Sequence, residues 1–156
     1  FKQKTAYEIR LSLVGSEMCI RDRYSLMKRE AEADVLPECE RTGLAFLPFF
    51  PLASGLLTGK YRKGSIPGSG TRLVDSERWR KTLTEENLDR VEALAGFAES
   101  KKRTLLELAF GWLLAQKSVA SVIAGATSPE QVWANSAAAR WELSAEDLRS
   151  VERLIS

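Results

Sequence analysis

The chain has 156 residues, with 23 Lys and Arg against 21 Asp and Glu, and it contains no His and two Cys. A net charge of +2 without a basic stripe argues against a nucleic-acid partner. No apolar run is long enough to span a membrane, and two cysteines provide neither a disulfide framework nor a metal-ligand cluster. We therefore expect a protein of the reducing cytoplasm.

The first 23 residues differ in character from the rest of the chain. The stretch FKQKTAYEI at 1–9 resembles a translated sequencing primer, and LVGSEMCIRDR at 13–23 resembles a translated transposase-end adapter. The alternatives are a targeting peptide, which the three acidic residues disfavour, and a native strand with its loop. We interpret 1–23 as a non-native segment that packs on nothing specific, so that its removal leaves stability unchanged. The remainder carries 18 basic and 18 acidic side chains, and Cys39 is its single cysteine.

From Tyr24 onward, the pattern predicts alternating strands and helices. A short strand is predicted at 24–27, followed by a helix at 30–41. Gly43 then suits the position just after a helix C-terminus. The apolar run at 44–47 is typical of a strand buried on both faces, as in a parallel sheet.

The rest of the chain continues the alternation. A polar excursion rich in Gly and Pro is predicted at 62–81, and a second short strand at 119–124. Helices are predicted to begin after Thr84, after Thr104 and after Ser144, each with acidic residues in its first turn. The apolar stripe of the first of these helices consists of Leu88, Val91, Leu94, Ala95 and Ala98. Alternation of strands with helices predicts an α/β fold with a parallel sheet.

The loop that follows the 44–47 strand has the composition of a ligand-binding loop. It begins with two aromatic residues and continues with Pro51, Gly55, Gly59 and Lys60. Loops at the C-terminal ends of parallel strands are where α/β proteins bind ligands. This loop could provide a ligand with an aromatic stacking face, a closely approaching backbone and a cation. The alternative is a buried aromatic plug followed by an ordinary loop.

A second candidate site follows the 119–124 strand. In the sequence AGATSPEQ at 124–131, Ser128 suits a helix N-cap, Pro129 the first helical position and Gln131 a capping box. Small residues ahead of a helix N-terminus leave backbone N–H groups available to an anion such as phosphate. The alternatives are that Gln131 only completes the cap and that Asn135 is a solvated helix residue.

Four segments resemble the aldo/keto reductase family, and they occur in the family's order. They are YSLMKR at 24–29, DVLP at 34–37, the loop at 47–61, and IAGAT at 123–127 with Gln131 and Asn135. The resemblance covers residues 24–156. It implies the C-terminal half of a (β/α)8 TIM barrel, without the first half of that barrel.

The resemblance also implies cofactor contacts in the first loop. Phe49 matches the aromatic residue that stacks on the nicotinamide ring in this family, and Lys60 matches a loop lysine near the cofactor. Phe50 stands where the family usually has Ser. The other positions that match the cofactor-binding segment are Pro51, Leu52, Ala53 and Ser54. A solvated surface lysine is the alternative for Lys60.

In the second loop, the resemblance implies contacts with the adenosine end of NADP. The matching positions are Gly125, Ala126, Thr127, Gln131 and Asn135. The family often has Lys or Arg near the phosphate, whereas 124–135 contains neither. Arg72 matches a position that reaches the phosphates in members similar to channel β subunits. Because a guanidinium fork suits phosphate well, NADP is favoured over NAD.

The family's catalytic Tyr, Lys, Asp and His all precede the matched region, so no catalytic residue is assigned to this chain. Glu30 and Glu32, beside Lys28 and Arg29, are interpreted as a solvated face at a helix start. We expect a fragment of an NADP-dependent reductase of aldehydes and ketones, inactive by itself. The partner of the parent protein is expected to be a small carbonyl substrate. The alternatives are a non-catalytic NADP-binding regulatory subunit and a purely structural helical module.

Overall fold

The computed structural model describes residues 19–65 and 69–155, apart from the side chain of Arg72. Two short strands, β1 (Cys19–Ile20) and β2 (Ala45–Phe46), pair in parallel, with Cys19 opposite Ala45 and Ile20 opposite Phe46. An extended segment at 118–123 pairs with the other side of β2 through parallel bridges from Phe46 to Val119 and from Phe49 to Ile123. The strand order is therefore β1, β2, then 118–123, all parallel.

Helices flank this small sheet. Helix α1 (Val35–Thr42) joins β1 to β2, while α2 (Arg72–Asp75) and α3 (Glu77–Arg80) are short helices of the polar excursion. The longer helices are α4 (Glu85–Ser100), α5 (Leu105–Leu114), α6 (Pro129–Ala138) and α7 (Ala145–Ile155). Short 3-10 turns lie at Glu30–Glu32 and Ala53–Thr58. The predicted α/β class is confirmed.

The helix starts were predicted well because caps are local. Thr84 accepts a hydrogen bond from the Asn87 N–H at the start of α4. Thr104 and Glu107 form a reciprocal capping box at the start of α5. The buried residues of α4 are the five of the predicted apolar stripe. Within the described part of the chain, no helix has both the length and the apolar character needed to cross a membrane.

The core forms where α5 meets the sheet. Helix α5 is apolar on nearly all sides, and this composition matches its central, buried position. Its Trp112 is fully buried and lies 5.1 Å, centroid to centroid, from the ring of Tyr24. Tyr24 in turn makes an edge contact with the ring of Phe46 on β2, at 5.9 Å. These three rings connect α5, the chain after β1, and β2.

The strand predicted at 24–27 is wrong. These residues form a tight turn in which Ser25 and Lys28 exchange backbone hydrogen bonds of 3.0 Å in both directions. Strand pairing lies just upstream, in β1 and at Arg23, which bridges to Phe49. The 119–124 strand is likewise reduced to isolated bridges.

The helix predicted at 30–41 is interrupted. A 3-10 turn at Glu30–Glu32 is followed by α1, which begins only after Asp34. Pro37 accounts for the break, since a continuous helix would require an N–H at Pro37 to bond the carbonyl of Ala33. The helix ends as predicted, with Gly43 in the left-handed region at φ 71°.

Residues 19–23 pack specifically, so the expectation that the first 23 residues pack on nothing is wrong for them. The Leu47 N–H donates to the Ile20 carbonyl at 2.8 Å, and the Phe49 N–H donates to the Asp22 carbonyl at 2.9 Å. Residues 1–18 lie outside the described part of the chain. The adapter origin of 1–23 stays a prediction.

This pairing predicts that a chain beginning at Tyr24 is less stable than one beginning at Cys19. Removal of residues 19–23 deletes the hydrogen bonds to Leu47 and Phe49 and uncovers one edge of β2. We expect a loss of more than about 1 kcal/mol, since each such bond contributes about that much. Urea unfolding of the two truncated chains measures the difference. Equal midpoints would show that β1 adds nothing to the fold.

Gly111 marks a close approach between α5 and the chain that follows α6. A Cβ at this position would lie 2.6 Å from the Trp141 carbonyl oxygen and 2.5 Å from Leu143 Cδ1. Backbone cannot move aside as easily as a flexible side chain can. The absence of a side chain at Gly111 therefore permits this packing.

We expect Gly111→Ala to destabilise the protein by about 1 kcal/mol or more, because overpacking costs roughly 1–3 kcal/mol and outweighs the gain in helix propensity. Gly96→Ala in α4 is the matched control, since nothing lies within 4 Å of a Cβ there. It should stabilise by about 0.5–1 kcal/mol. Thermal unfolding of both variants provides the comparison, and a stabilising Gly111→Ala would refute the close approach.

Candidate functional site

Phe49 lies at the centre of the sheet's C-terminal edge. Its N–H donates to the Asp22 carbonyl at 2.9 Å, and its carbonyl accepts from the Tyr24 N–H at 3.4 Å. On the other side, the Ile123 N–H donates to the Pro48 carbonyl at 2.9 Å. The backbone of Phe49 is therefore held between both neighbouring segments. Its ring is half-buried.

The loop that leaves β2 has an unusual backbone. Three residues other than Gly have positive φ: Phe50 at 59°, Ala53 at 47° and Ser54 at 62°. Gly55 follows at 109°. Bulky side chains rarely adopt this region, and such strain tends to occur at ligand-binding segments. The turn is held by hydrogen bonds from the Ala53 N–H to the Phe50 carbonyl at 3.0 Å and from the Gly55 N–H to the Leu52 carbonyl at 2.8 Å.

The remaining predicted residues of this loop differ in exposure. Pro51 and Ser54 are buried, Leu52 and Ala53 are half-buried, and Lys60 is exposed. Tyr61 is buried, and its hydroxyl accepts a hydrogen bond from the Leu73 N–H at 3.4 Å. This bond connects the loop to α2, the helix that begins with Arg72. The side chain of Arg72 lies outside the described part of the structure.

The second predicted loop lies at the same edge of the sheet, after Ile123. Gly125, Ala126 and Thr127 are exposed there, ahead of α6. Ser128 caps α6 by accepting from the Gln131 N–H at 3.4 Å. Asn135, one turn further along, is half-buried.

Gln131 stabilises this loop differently from a standard capping box. Its Oε1 accepts from the Thr127 N–H at 2.9 Å and from the Thr127 hydroxyl at 3.2 Å. The bonds therefore reach the residue before the N-cap. These bonds use only the oxygen of the Gln131 amide, and its Nε2 group is a hydrogen-bond donor that they do not use.

Glu130 brings a negative charge to the start of α6. A hydrogen bond from the Ser128 side chain holds the pKa of its carboxyl below the usual value, so Glu130 is ionised at neutral pH. A carboxylate at a helix N-terminus competes with any other anion for the same dipole. This residue therefore opposes a phosphate group at α6.

A cavity of about 100 Å³ lies beside the first loop. Its walls include Phe50, Ala53 and Ser54 from the loop, Arg23 after β1, and Trp79 from α3. Sequence reasoning did not identify Arg23 and Trp79 as neighbours of the site. An isolated Trp in a polar excursion was the one signal that could have indicated Trp79.

The acidic and basic residues at 28–32 are not all a solvated face, so that interpretation is wrong for Arg29 and Glu32. Arg29 donates to Glu32 through Nε and Nη2, both at 2.8 Å, and through Nη2 to Glu152 of α7 at 2.6 Å. The Tyr24 hydroxyl donates to Glu32 at 2.8 Å, and Trp112 Nε1 donates to Glu152 at 3.2 Å. This partly buried network joins the 24–32 turn to α5 and α7.

Neither described tyrosine is suited to donating a proton to a substrate. Burial, and then the hydrogen bond to the Glu32 carboxylate, raise the pKa of Tyr24 far above its ordinary value. Tyr61 is buried, with its hydroxyl directed at the backbone of Leu73. The described residues also contain no group of three His, Cys, Asp or Glu side chains that could hold a metal ion. Within the described part of the chain, the hydroxyls of both tyrosines are therefore already engaged by protein groups.

Comparison with known proteins settles the family. The profile described as "Aldo/keto reductase family" matches residues 15–156. The chain belongs to the aldo/keto reductase family. The resemblance seen in the sequence is thereby confirmed, and the match begins inside the segment that resembles adapter.

The relatives include reductases and channel subunits. A "Probable voltage-gated potassium channel subunit beta" from Oryza sativa subsp. japonica is 35% identical over 129 residues, which are 81% of this chain and 39% of that protein. An "NADH-specific methylglyoxal reductase" from Escherichia coli is 34% identical over 128 residues, which are 82% of this chain and 39% of that protein. The chain thus spans less than half the length of these relatives.

A solved structure supports the same assignment. A glycerol dehydrogenase from Gluconobacter oxydans superposes with a TM-score of 0.72 at 26% identity, covering 88% of this chain and 42% of that one. The α/β fold with its open parallel sheet is therefore consistent with part of an aldo/keto reductase barrel. The roles of the individual site residues in this chain stay predictions.

Proposed function

We propose that this chain binds NADP(H) across the ends of β2 and of the 118–123 segment, as the cofactor-binding part of an aldehyde or ketone reductase. The observation that carries the proposal is the parallel bridge between Phe49 and Ile123. Because of this bridge, the aromatic residue matched to the nicotinamide ring and the loop matched to adenosine emerge from adjacent segments at one edge. Membership of the aldo/keto reductase family supports a nicotinamide cofactor.

The residues present fit such a cofactor in several respects. The half-buried Phe49 ring offers a stacking face, and the backbone beneath it is fixed by the hydrogen bonds of the sheet. Gly125 has nothing within 4 Å of a Cβ position, so a ligand can approach the backbone there. Gln131 stabilises the turn at Thr127 and has an amide donor left for the adenosine end.

In the proposed reaction, the bound cofactor supplies a hydride to a carbonyl carbon. Phe49 would orient the nicotinamide ring, and the 125–127 loop with α6 would hold the adenosine end. Neither Tyr24 nor Tyr61 supplies the proton for the carbonyl oxygen. We therefore propose that turnover depends on catalytic side chains other than these two tyrosines.

The preference for NADP over NAD depends on charge. NADP carries an additional phosphate on the adenosine ribose, and Arg72 is the residue proposed to bind it. Glu130 at the start of α6 opposes that phosphate. The two side chains should therefore shift the preference in opposite directions.

A non-catalytic, NADP-binding regulatory subunit is the second candidate. The channel subunit from Oryza sativa and the reductase from Escherichia coli match nearly the same share of this chain, which supports both candidates equally. Both candidates bind the cofactor, and they differ in whether the whole protein turns over a carbonyl. Binding of the cofactor is therefore the property that the two candidates share.

Titration of NADPH and NADH against three variants tests the cofactor site. Phe49→Ala should weaken both cofactors about equally, by roughly 1 kcal/mol, because stacking acts at the nicotinamide that they share. Arg72→Ala should weaken NADPH selectively, by about 1.5–3 kcal/mol, since charged hydrogen bonds are of that order. Glu130→Gln should strengthen NADPH relative to NADH. Fluorescence of the reduced nicotinamide reports each dissociation constant.

Lys60→Ala serves as a comparison in the same titration, since Lys60 is an exposed cation of the first loop. If Arg72→Ala and Lys60→Ala change the ratio of NADPH to NADH affinity equally, the assignment of Arg72 to the phosphate is refuted. If the unmodified chain binds neither cofactor, the proposed function itself fails for this chain.

A further inference from the structure

Three aromatic rings form a continuous row from the excursion to the proposed nicotinamide site. The ring centroids of Phe49 and Phe50 are 5.5 Å apart with an interplanar angle of 59°, and those of Phe50 and Trp79 are 5.6 Å apart at 41°. We propose that Trp79, acting through Phe50, is a positioning residue that fixes the orientation of the Phe49 ring. This inference rests on the proposed function, because it assumes that Phe49 contacts the nicotinamide.

The backbone of Phe49 and its ring are held by different contacts. Sheet hydrogen bonds to Asp22 and Tyr24 fix the backbone. They do not fix the rotation of the side chain, which depends on what the ring packs against. The described aromatic neighbour of the Phe49 ring is Phe50, so the orientation of the one ring depends on the placement of the other.

Phe50 lies outside the main hydrophobic core. Its φ of 59° is unfavourable for a bulky residue, and its ring is half-buried. Phe50, Trp79 and Arg23 all line the cavity of about 100 Å³, so part of the Phe50 ring faces open volume. The ring contacts on this side come from Trp79 and from the Arg23 guanidinium, whose central carbon lies 5.2 Å from the ring centroid. Loss of Trp79 would therefore leave Phe50 free to move into the cavity.

Hydrogen bonds that do not involve the indole hold the short segment around Trp79. The backbone N–H of Trp79 donates to the Ser76 carbonyl at 3.0 Å, and the Arg80 guanidinium donates to the Val74 carbonyl at 2.6 and 3.2 Å. The first bond lies within the first turn of α3, and the Arg80 bonds connect α3 to α2, so the backbone at Trp79 does not depend on the indole itself. A change of side chain at Trp79 should alter the aromatic row and leave the backbone of the excursion in place.

The test separates the two ends of the cofactor by using two fragments as probes. Reduced nicotinamide mononucleotide represents the nicotinamide end, and adenosine 2′,5′-bisphosphate represents the other end. We expect Trp79→Ala to weaken the first probe roughly two- to fivefold, no more than loss of the Phe49 ring itself, a range that corresponds to the lower aromatic-pair energies. Affinity for the second probe should remain within about twofold, and Trp79→Phe should restore most of the affinity for the first.

A double-mutant cycle tests the path through Phe50. Phe50→Ser should weaken reduced nicotinamide mononucleotide to a similar degree, and adding Trp79→Ala to it should cause little further loss. Glu77→Ala is the matched control, since Glu77 is exposed on the same short helix. It should leave both probes unchanged. Calorimetry measures all of these affinities.

The outcomes distinguish a positioning role of Trp79 from a purely structural one. An equal loss of both probes in Trp79→Ala would mean that Trp79 only supports the excursion, and it would overturn the inference, as would no loss of either. Additive losses in the double variant would overturn the path through Phe50. If the unmodified chain binds the adenosine probe and not the nicotinamide probe, the role of Phe49 fails and this inference with it. If it binds neither, the proposed function fails.

Discussion

The central position of β2 is the constraint on which the rest of the structure depends. Its backbone is paired in parallel on one side with β1 and on the other with the 118–123 segment. Parallel strands end at the same edge, so the loops after all three segments emerge together. Phe49 lies at this point and is hydrogen-bonded to Asp22 and Tyr24, in the segment that follows β1. A ligand that contacts both candidate loops needs this alignment.

Beyond the sheet, the backbone of the loop and the side chains packed beside it determine the shape of the site. The positive φ angles at Phe50, Ala53 and Ser54 turn the loop sharply. The cavity beside it is lined in part by Trp79, a residue of the polar excursion. Strain of this kind persists only where surrounding contacts compensate for it. The aromatic row and the hydrogen bonds of the turn provide those contacts here.

The sequence predicted best what depends on near neighbours in the chain. The caps at Thr84 and Thr104 and the left-handed residue Gly43 are local features, and the structure has all of them. The network of Arg29 was misread because its second partner, Glu152, lies 123 residues away. The contact of Phe50 with Trp79 was missed for the same reason, since it is set by how the excursion folds back. Family resemblance identified both candidate loops, and the structure aligns them at one edge.

Hydrogen exchange with and without NADPH tests the central claim most directly, because it reports both loops in one experiment. If one cofactor binds across the ends of β2 and of 118–123, the amides at 50–58 and at 125–135 should gain protection together, with the same dependence on NADPH concentration. The amides of Phe46 and Leu47, already bonded to Ser118 and Ile20, should change little. Protection confined to one loop, or two different midpoints, would contradict a single site at this edge.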